Sequence, residues 1–139
     1  MLDEKEYVRW MNSSKKTLSS ALADAERGDF NWACFKCQQA AEFAVKSLLR
    51  GLGLPSYGHS ISRLLRVVEE NLGVVEDEII ESAKILDKYY IPTRYPNAWV
   101  EGSPEDYYTK FDAELAIKSA GKIISWVEEK WESLKREGR

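Results

Sequence analysis

The chain has 139 residues, 20 Lys and Arg against 23 Asp and Glu, a formal net charge of −3 and 44% apolar residues. This length predicts one domain, residues 1–139, and the composition is that of a globular protein rather than a disordered one. The acidic balance argues against a protein that coats DNA through bulk positive charge. The sequence has no apolar run long enough to span a membrane, and its first residues are acidic. We therefore expect a cytoplasmic protein without membrane contact.

Apolar residues recur with a helical period along most of the chain and predict five helices. The first runs from about Asp3 to Arg27 and ends at Gly28, a residue type that readily adopts the left-handed conformation at a helix end. Asp29 is the predicted cap of a second helix that extends to about Arg50. The predicted core positions of the two helices are Tyr7, Trp10 or Met11, Leu18, Ala21, Leu22 and Ala25, then Phe30, Ala33, Cys37, Ala41, Ala44 or Val45, and Leu48.

Two shorter helices follow a loop at 51–58 that is rich in Gly and Pro. Ser60 is the predicted cap of the third helix, which ends at Gly73. The fourth is predicted from about Glu76 to Tyr90, with Tyr90 facing the core. Short connections make successive helices antiparallel neighbours. The sequence therefore predicts an all-α protein, an antiparallel up-and-down bundle of about five helices.

Two start signals compete for the last helix. Ser103 and Pro104 offer a cap followed by proline at the first helical position, while Thr109 and Asp112 offer a capping box. We favour a short turn at the first signal and a long helix from Thr109 to about Lys135. Its predicted core positions are Phe111 or Leu115, Ala116, Ala120, Ile123, Val127, Trp131 and Leu134.

Two segments carry no acidic residue although the whole chain is acidic. The basic and histidine residues in these segments are Lys46, Arg50, His59, Arg63 and Arg66 between Glu42 and Glu69, and Lys88 and Arg94 between Asp87 and Glu101. Basic side chains beside a loop suit the phosphate of a nucleotide or of RNA. Charge on exposed helix faces also varies by chance, and this alternative stays open.

Aromatic residues are concentrated between positions 89 and 108, where about 2.3 are expected from composition. The six found there are Tyr89, Tyr90, Tyr95, Trp99, Tyr107 and Tyr108. A basic, aromatic loop can stack a nucleobase. It can also anchor a protein interface, or pack back on the bundle, and we expect at least half of the six to do the last.

The sequence offers no assembled catalytic or metal motif. Cys34 and Cys37 lie inside a predicted helix with no strand before it, so we interpret them as packing residues rather than a redox or zinc pair, and we expect no metal and no cofactor. His59 is the only histidine. It can serve as a general base or merely cap or pack near a helix start.

Four blocks in order resemble the HEPN domain (higher eukaryotes and prokaryotes nucleotide-binding). They are Gln39-Ala-Ala-Glu-Phe-Ala-Val-Lys-Ser-Leu-Leu49, then Gly58-His59 before Leu64-Leu65, then Leu86, Tyr90, Arg94 and Pro96, and finally an Ala-rich last helix. The resemblance covers about residues 5–132. It implies a helical bundle that dimerises around the loop with Arg94, and a small nucleotidyltransferase as partner in a toxin–antitoxin arrangement.

Many members of that family are metal-independent ribonucleases that use an Arg and a His with four to six residues between them. The positions at that spacing after Arg94 hold Trp99, Val100 and Glu101, and none of these accepts a proton as imidazole does. The departure favours a binding protein over an enzyme, with Arg94 steadying phosphate charge. Arg94 can instead be structural, paired with Asp87 or stacked on Tyr95.

Three functions follow as hypotheses. The favoured one is a dimeric binding module that presents Arg94, Tyr95, Tyr90, Lys46 and His59 to a nucleotide, RNA or the partner. The second is an endoribonuclease with altered acid–base residues, in which Arg94 stabilises the transition state and His59 is the base. The third is a purely structural protein-interaction partner.

Overall fold

The computed structural model describes residues 1–138 and confirms the all-helical bundle. Its five helices are α1 (Glu4–Arg27), α2 (Phe30–Gly51), α3 (Ile61–Leu72), α4 (Asp77–Asp87) and α5 (Lys110–Arg136). Two short 3₁₀ turns, Pro96–Ala98 and Pro104–Asp106, lie in the connection between α4 and α5. None of the helices within residues 1–138 combines the length and apolar content that a membrane crossing requires.

The α2 helix is the centre of the bundle, because it packs against each of the other four helices. Its buried face is rich in small side chains, and the fully buried alanines are Ala33, Ala40, Ala41 and Ala44. Small side chains let neighbouring backbones approach closely, as where the Ser14 hydroxyl of α1 donates to the Ala40 carbonyl across 2.5 Å. The small side chains of α2 therefore let the other helices pack closely around it.

Most helix ends form where the sequence predicts them. Gly28 closes α1 at a φ of 84°, in the left-handed region that glycine enters without strain. The Ser60 side chain accepts from the Arg63 backbone N–H at the start of α3. Thr109 and Asp112 form the predicted capping box of α5, and the competing signal at Ser103 forms only a 3₁₀ turn.

Two end predictions need correction. Asp29 occupies the cap position of α2, but its side chain makes no capping hydrogen bond and accepts from Arg27 instead. The α4 helix ends at Asp87, three residues earlier than predicted. The reason is Pro92: in a continued helix its ring would collide with the carbonyl of Lys88, four residues before it.

One end of the core is closed by a ring stack. Tyr7 of α1 and Trp131 of α5 lie parallel, with centroids 4.2 Å apart and planes 2° from each other. Gly51, the last residue of α2, lies directly against this pair, so that a Cβ there would meet the Trp131 ring at 2.5 Å. Two predicted core residues are instead exposed: Leu22 lies at the edge of the buried stripe of α1, and Phe111, predicted as an alternative to Leu115, lies on the face of α5 opposite its buried residues.

Candidate functional site

The backbone that carries Arg94 is fixed to the bundle. Thr93 is fully buried, and its carbonyl accepts from the Asn31 side chain of α2 across 3.0 Å. The Thr93 hydroxyl donates to the Tyr89 carbonyl at 2.6 Å, and the Trp99 indole donates to the Pro92 carbonyl at 2.8 Å. These bonds hold the residues on both sides of Arg94, so its side chain starts from a defined position.

Of the six aromatics between 89 and 108, only Tyr89 and Tyr108 pack against the core, fewer than the half we expected, while four of the six contact one another. Trp99 stacks on Tyr107 with centroids 4.3 Å apart, and Tyr108 meets both Trp99 and Tyr89 edge to face. The remaining two, Tyr90 and Tyr95, lie beside Arg94. The prediction that Tyr90 faces the core is wrong, because the early end of α4 leaves it half-buried at the surface.

Arg94 is held by aromatic rings and a backbone carbonyl. Its guanidinium carbon lies 4.2 Å from the Phe35 ring centre, 4.7 Å from that of Tyr90 and 4.9 Å from that of Tyr95. Both Nε and Nη2 donate to the Tyr90 carbonyl, at 2.9 and 2.7 Å. Within residues 1–138 no carboxylate forms an ion pair with Arg94. The stacking on Tyr95 that the sequence offered as an alternative does occur.

The sequence also offered an ion pair between Arg94 and Asp87, and this prediction is wrong. The Asp87 carboxylate caps α3 instead, accepting from the backbone N–H of Ile61 at 2.7 Å and of Ser62 at 3.1 Å. The Ser62 hydroxyl adds a third bond at 2.6 Å. Because His59 lies two residues before Ile61, this cap fixes the segment that carries the imidazole.

His59 lies on the same tyrosine as Arg94. Its imidazole stacks on the Tyr90 ring with centroids 4.5 Å apart and planes 16° from parallel. Its Nδ1 is 3.2 Å from Oε1 and 3.3 Å from Oε2 of Glu42, while Nε2 has no partner in the described part of the chain. A carboxylate can only accept here, so the hydrogen belongs on Nδ1, and a neutral ring keeps its lone pair on the free Nε2.

Glu42 is a buried carboxylate with several donors around it. It is 2% exposed, and its oxygens accept from Lys46 Nζ at 3.0 Å, from Gln38 Nε2 at 3.2 Å and from Gln39 Nε2 at 3.3 Å, besides the bond to His59. Lys46 is itself nearly buried. These side chains satisfy the carboxylate as a buried charge requires, and Lys46 is paired rather than free. We call Phe35, Glu42, His59, Tyr90, Arg94 and Tyr95 the Arg94 site.

The two cysteines lie outside this site and are fully buried. Burial raises the pKa of the Cys34 thiol and raises the pKa of Cys37 to about 12. Thiols in that state stay protonated and unreactive near neutral pH, as packing residues do. No group of three or more His, Cys, Asp or Glu side chains within residues 1–138 is arranged to hold a metal ion.

The family is decided by a comparison of the whole sequence with known domain families. Residues 7–130 match the HEPN domain family. The chain belongs to the HEPN family.

Solved structures agree with this assignment. The protein TT1696 from Thermus thermophilus is 44% identical and superposes with a TM-score of 0.85, covering 89% of this chain and 97% of that one. An archaeal HEPN homologue, ST0689, is 38% identical with a TM-score of 0.76, covering 89% and 96%. The HEPN domain protein tm0613 from Thermotoga maritima is 33% identical with a TM-score of 0.73, covering 89% and 98%. The comparison with curated proteins gives no match.

The HEPN ribonuclease motif has a His after its Arg, and the corresponding positions of this chain hold Trp99, Val100 and Glu101. Trp99 is committed to its stack with Tyr107 and to the Pro92 carbonyl. Val100 and Glu101 are exposed. His59 instead stacks on the Tyr90 ring, over which the Arg94 guanidinium also lies.

The sequence named Arg94, Tyr95, Tyr90, His59 and Lys46, and the structure brings all five into one region. It missed Glu42 and Phe35, which connect them. The signal for Glu42 was present: Gln38 and Lys46 lie four residues to either side of it, so the three polar side chains share one face of α2. Phe35 carried no comparable signal, because only the folded loop brings Arg94 over its ring.

Proposed function

We propose that this HEPN protein is a dimeric binding module that contacts the phosphate of a nucleotide or RNA at the Arg94 site. The observation that carries the proposal is the Arg94 guanidinium, which is fixed by aromatic rings and has no carboxylate partner among residues 1–138. Its contacts to Tyr90 and Tyr95 leave one N–H on Nη1 and one on Nη2 uncommitted. Two neighbouring N–H groups on a planar cation match two phosphate oxygens.

The aromatic rings around Arg94 could also bind the base of a nucleotide whose phosphate Arg94 holds. Tyr95 is exposed, so a base has aromatic surface on which to stack beside the guanidinium, while the Tyr90 ring already carries His59 and Arg94. His59, whose side chain is 55% exposed, offers a further nitrogen to the same ligand. Lys46 contributes through Glu42, since its ammonium holds the carboxylate that orients His59.

The test is fluorescence anisotropy with a labelled single-stranded RNA and with a labelled nucleotide. Arg94→Ala is expected to weaken binding at least tenfold, because charge-assisted hydrogen bonds contribute about 1.5–3 kcal/mol each. Arg66→Ala is the matched control, since Arg66 is an exposed arginine of α3 outside the Arg94 site. Equal losses in the two variants would reveal only general attraction to positive charge. If ATP, GTP and RNA all leave the melting temperature of the wild type unchanged, the protein is a structural partner instead.

The exposed apolar side chains beside Arg94 support a homodimer. Trp32 and Tyr95 remain 43% and 45% exposed, and Ile91 is 48% exposed. Trp32 meets Phe35 edge to face, which joins the exposed rings to the Arg94 site. Aromatic side chains of this kind anchor protein interfaces. Sedimentation at tens of micromolar should give a dimer that Trp32→Ala weakens, and a wild-type monomer at that concentration would contradict the proposal.

The family resemblance supports a small nucleotidyltransferase as the partner, in a toxin–antitoxin-like pair. The experiment mixes the purified HEPN protein with a purified nucleotidyltransferase encoded beside it. We expect one complex on size-exclusion chromatography, and separate elution of the two proteins at tens of micromolar would count against the pairing.

A second function, metal-independent RNA cleavage, is favoured by the hydrogen bond between Glu42 and His59. With its hydrogen on Nδ1, His59 can take the 2′-hydroxyl proton at Nε2. The 2′-oxygen then attacks phosphorus, the 5′-oxygen leaves and takes a proton from water, and a 2′,3′-cyclic phosphate remains. Arg94 would stabilise the charge on the phosphoryl oxygens. Cleavage of RNA in EDTA that His59→Ala and Arg94→Ala both abolish would establish this function in place of simple binding.

A further inference from the structure

The outer face of α1 carries positive charge that the fold does not neutralise. Residues 7–23 include three basic residues and no acidic one, although the whole chain is acidic. Lys5, Arg9 and Lys16 are exposed, and they lie on one side of the helix because they follow one another at intervals of four and seven residues. This face is therefore opposite in sign to the net charge of the molecule.

The ion pairs of α1 distinguish two adjacent lysines. Lys15 is paired with Glu128 of α5, whose Oε2 lies 2.6 Å from its Nζ. Lys16 has no ion pair or hydrogen bond from its side chain within residues 1–138, and the same is true of Lys5. Glu4, the acid next to Lys5 in sequence, pairs with a lysine of α5 instead. Two ammonium groups on the outer face are therefore available to an external anion.

Arg9 lies between these two lysines and has donors to spare. Its Nε and Nη2 donate to the Glu6 carboxylate at 2.8 and 3.1 Å, which leaves both N–H groups of Nη1 and one of Nη2 without an acceptor in the described part of the chain. Glu6 also pairs with Arg50, 3.2 Å away, so one carboxylate serves two guanidinium groups. The group of three side chains keeps a net charge of about +1.

A small concavity lies beside Arg9. Arg9, Trp10, Ser13 and Phe43 line about 250 Å³ of open space. Trp10 and Phe43 meet edge to face, and the Arg50 guanidinium lies 4.8 Å from the Trp10 ring centre, so the indole is not a free platform for stacking. An apolar cavity of about 150 Å³ already takes up benzene. The concavity therefore has room for one aliphatic side chain.

We infer that the outer face of α1 binds an acidic segment of a partner protein, with one aliphatic side chain of that segment in the concavity beside Arg9. Along the helix axis Lys5 lies about 6 Å from Arg9 and Lys16 about 10 Å from it on the other side, at about 1.5 Å per residue. Acidic groups on both sides of the aliphatic side chain therefore each meet a cation. An apolar anchor inside a polar rim is the usual arrangement of a protein interface.

The concavity favours a protein segment over a nucleic acid, because a nucleic acid has no aliphatic side chain to place there and the Trp10 ring already carries Arg50. None of the residues on this face belongs to the Arg94 site. The inference therefore goes beyond the proposed function and does not depend on it.

The experiment measures the binding of a labelled acidic peptide to the full-length protein by fluorescence anisotropy. The peptide has glutamates at both ends and one leucine at its centre, and a second peptide has serine in place of the leucine. We expect saturable binding of the leucine peptide that weakens as the salt concentration rises, because the charges involved are exposed. The serine peptide should bind about tenfold more weakly, since it buries no apolar side chain.

Neighbouring positions of α1 supply the variants and their control. Arg9→Ala should weaken binding of the leucine peptide about tenfold and Lys16→Ala about threefold. Lys15→Ala removes the same charge from the next position, but Lys15 is paired with Glu128, so the affinity should stay within about twofold of the wild type. Ser13→Leu fills the concavity from an exposed position and should abolish the difference between the two peptides. Urea unfolding verifies that each variant is folded.

The results that would overturn the inference are distinct. No binding of the leucine peptide, or equal affinity of the wild type for both peptides, would mean that the concavity accepts no side chain. Equal losses in Lys16→Ala and Lys15→Ala would show only general attraction to positive charge. If Ser13→Leu weakens binding of single-stranded RNA, the face is a nucleic-acid surface, and if it lowers the sedimentation coefficient, the face is a contact between copies of this chain. Arg94→Ala should leave peptide binding unchanged, so a failure of the proposed function appears separately, in the RNA measurement.

Discussion

Two of the ring stacks in this bundle have similar geometry but different roles. Tyr7 and Trp131 stack at 4.2 Å, and both are nearly buried. His59 and Tyr90 stack at 4.5 Å at the surface, between the Arg94 guanidinium and the Glu42 carboxylate. The distances alone do not separate the two pairs.

The surroundings separate them. Tyr7 and Trp131 are buried, and this burial is the main cause that raises the pKa of the Tyr7 phenol, so the pair is closed to solvent and acts through packing. The Tyr90 ring instead holds a cation and an imidazole whose remaining N–H groups and lone pair face no partner in the described residues. A stack that is closed by backbone and apolar atoms stabilises the fold, whereas a stack flanked by unsatisfied donors is available to a ligand.

The largest expected difference is in stability. Trp131→Ala should lower the free energy of unfolding by about 4 kcal/mol, because it empties a large space in the core. Tyr90→Ala should lower it by less than about 1.5 kcal/mol, since Tyr90 is half-buried and no cavity forms. Urea unfolding followed by circular dichroism measures both. Comparable losses at the two positions would show that the His59–Tyr90 stack is also a core element.

A smaller effect tests how tightly the buried stack is closed. Gly51→Ala puts a Cβ at 2.5 Å from the Trp131 ring and should cost about 1–3 kcal/mol through overpacking. Gly121→Ala is its control within α5, because a Cβ there meets nothing within 4 Å. The control should be neutral or stabilise by up to about 1 kcal/mol, as alanine is the better helix former. A Gly51→Ala protein as stable as wild type would mean that the Trp131 ring can move aside.

The Asp87 carboxylate, which caps α3 two residues after His59, is expected to affect both the stability of the fold and the position of His59 on Tyr90. Asp87→Ala removes the acceptor for two backbone N–H groups of α3 and should cost about 1–2 kcal/mol. It should also weaken RNA binding, because the segment that carries His59 loses its anchor. Asp112→Ala removes the capping box of α5, and Asp112 bonds to Thr109 rather than to a residue of the Arg94 site, so this variant should cost similar stability without changing RNA affinity. Equal binding by the two variants would show that His59 needs no support from this cap.

The helices could be predicted from sequence because their signals are local. Gly28, Ser60 and Thr109 act within one turn of themselves, and each ends or begins a helix where predicted. The end of α4 was mispredicted although its cause, Pro92, is also local, because the apolar period continues to Tyr90 and outweighed it.

The site could be predicted only in part. Arg94 and Tyr90 are four residues apart, so their contact follows from local geometry. His59 comes to Tyr90 from a different connection, 31 residues earlier, and only the packing of α3 against α4 brings them together. Glu42 is fully predictable only once its burial is known, although Gln38 and Lys46 at a spacing of four residues already mark a polar group on that face.

Among the substitutions at the Arg94 site, Arg94→Ala is expected to change stability least, although it should weaken ligand binding most. Arg94→Ala removes contacts to three rings, but cation–π contacts near the surface contribute about 0.5–1 kcal/mol each and do not add. The Tyr90 carbonyl that loses its donor lies beside half-exposed side chains and can bond to water, so the free energy of unfolding should fall by less than about 1 kcal/mol. Urea unfolding and RNA anisotropy on one preparation measure both quantities. A fall of several kcal/mol would make Arg94 a structural residue, because an arginine that is kept for a ligand should be dispensable to the fold.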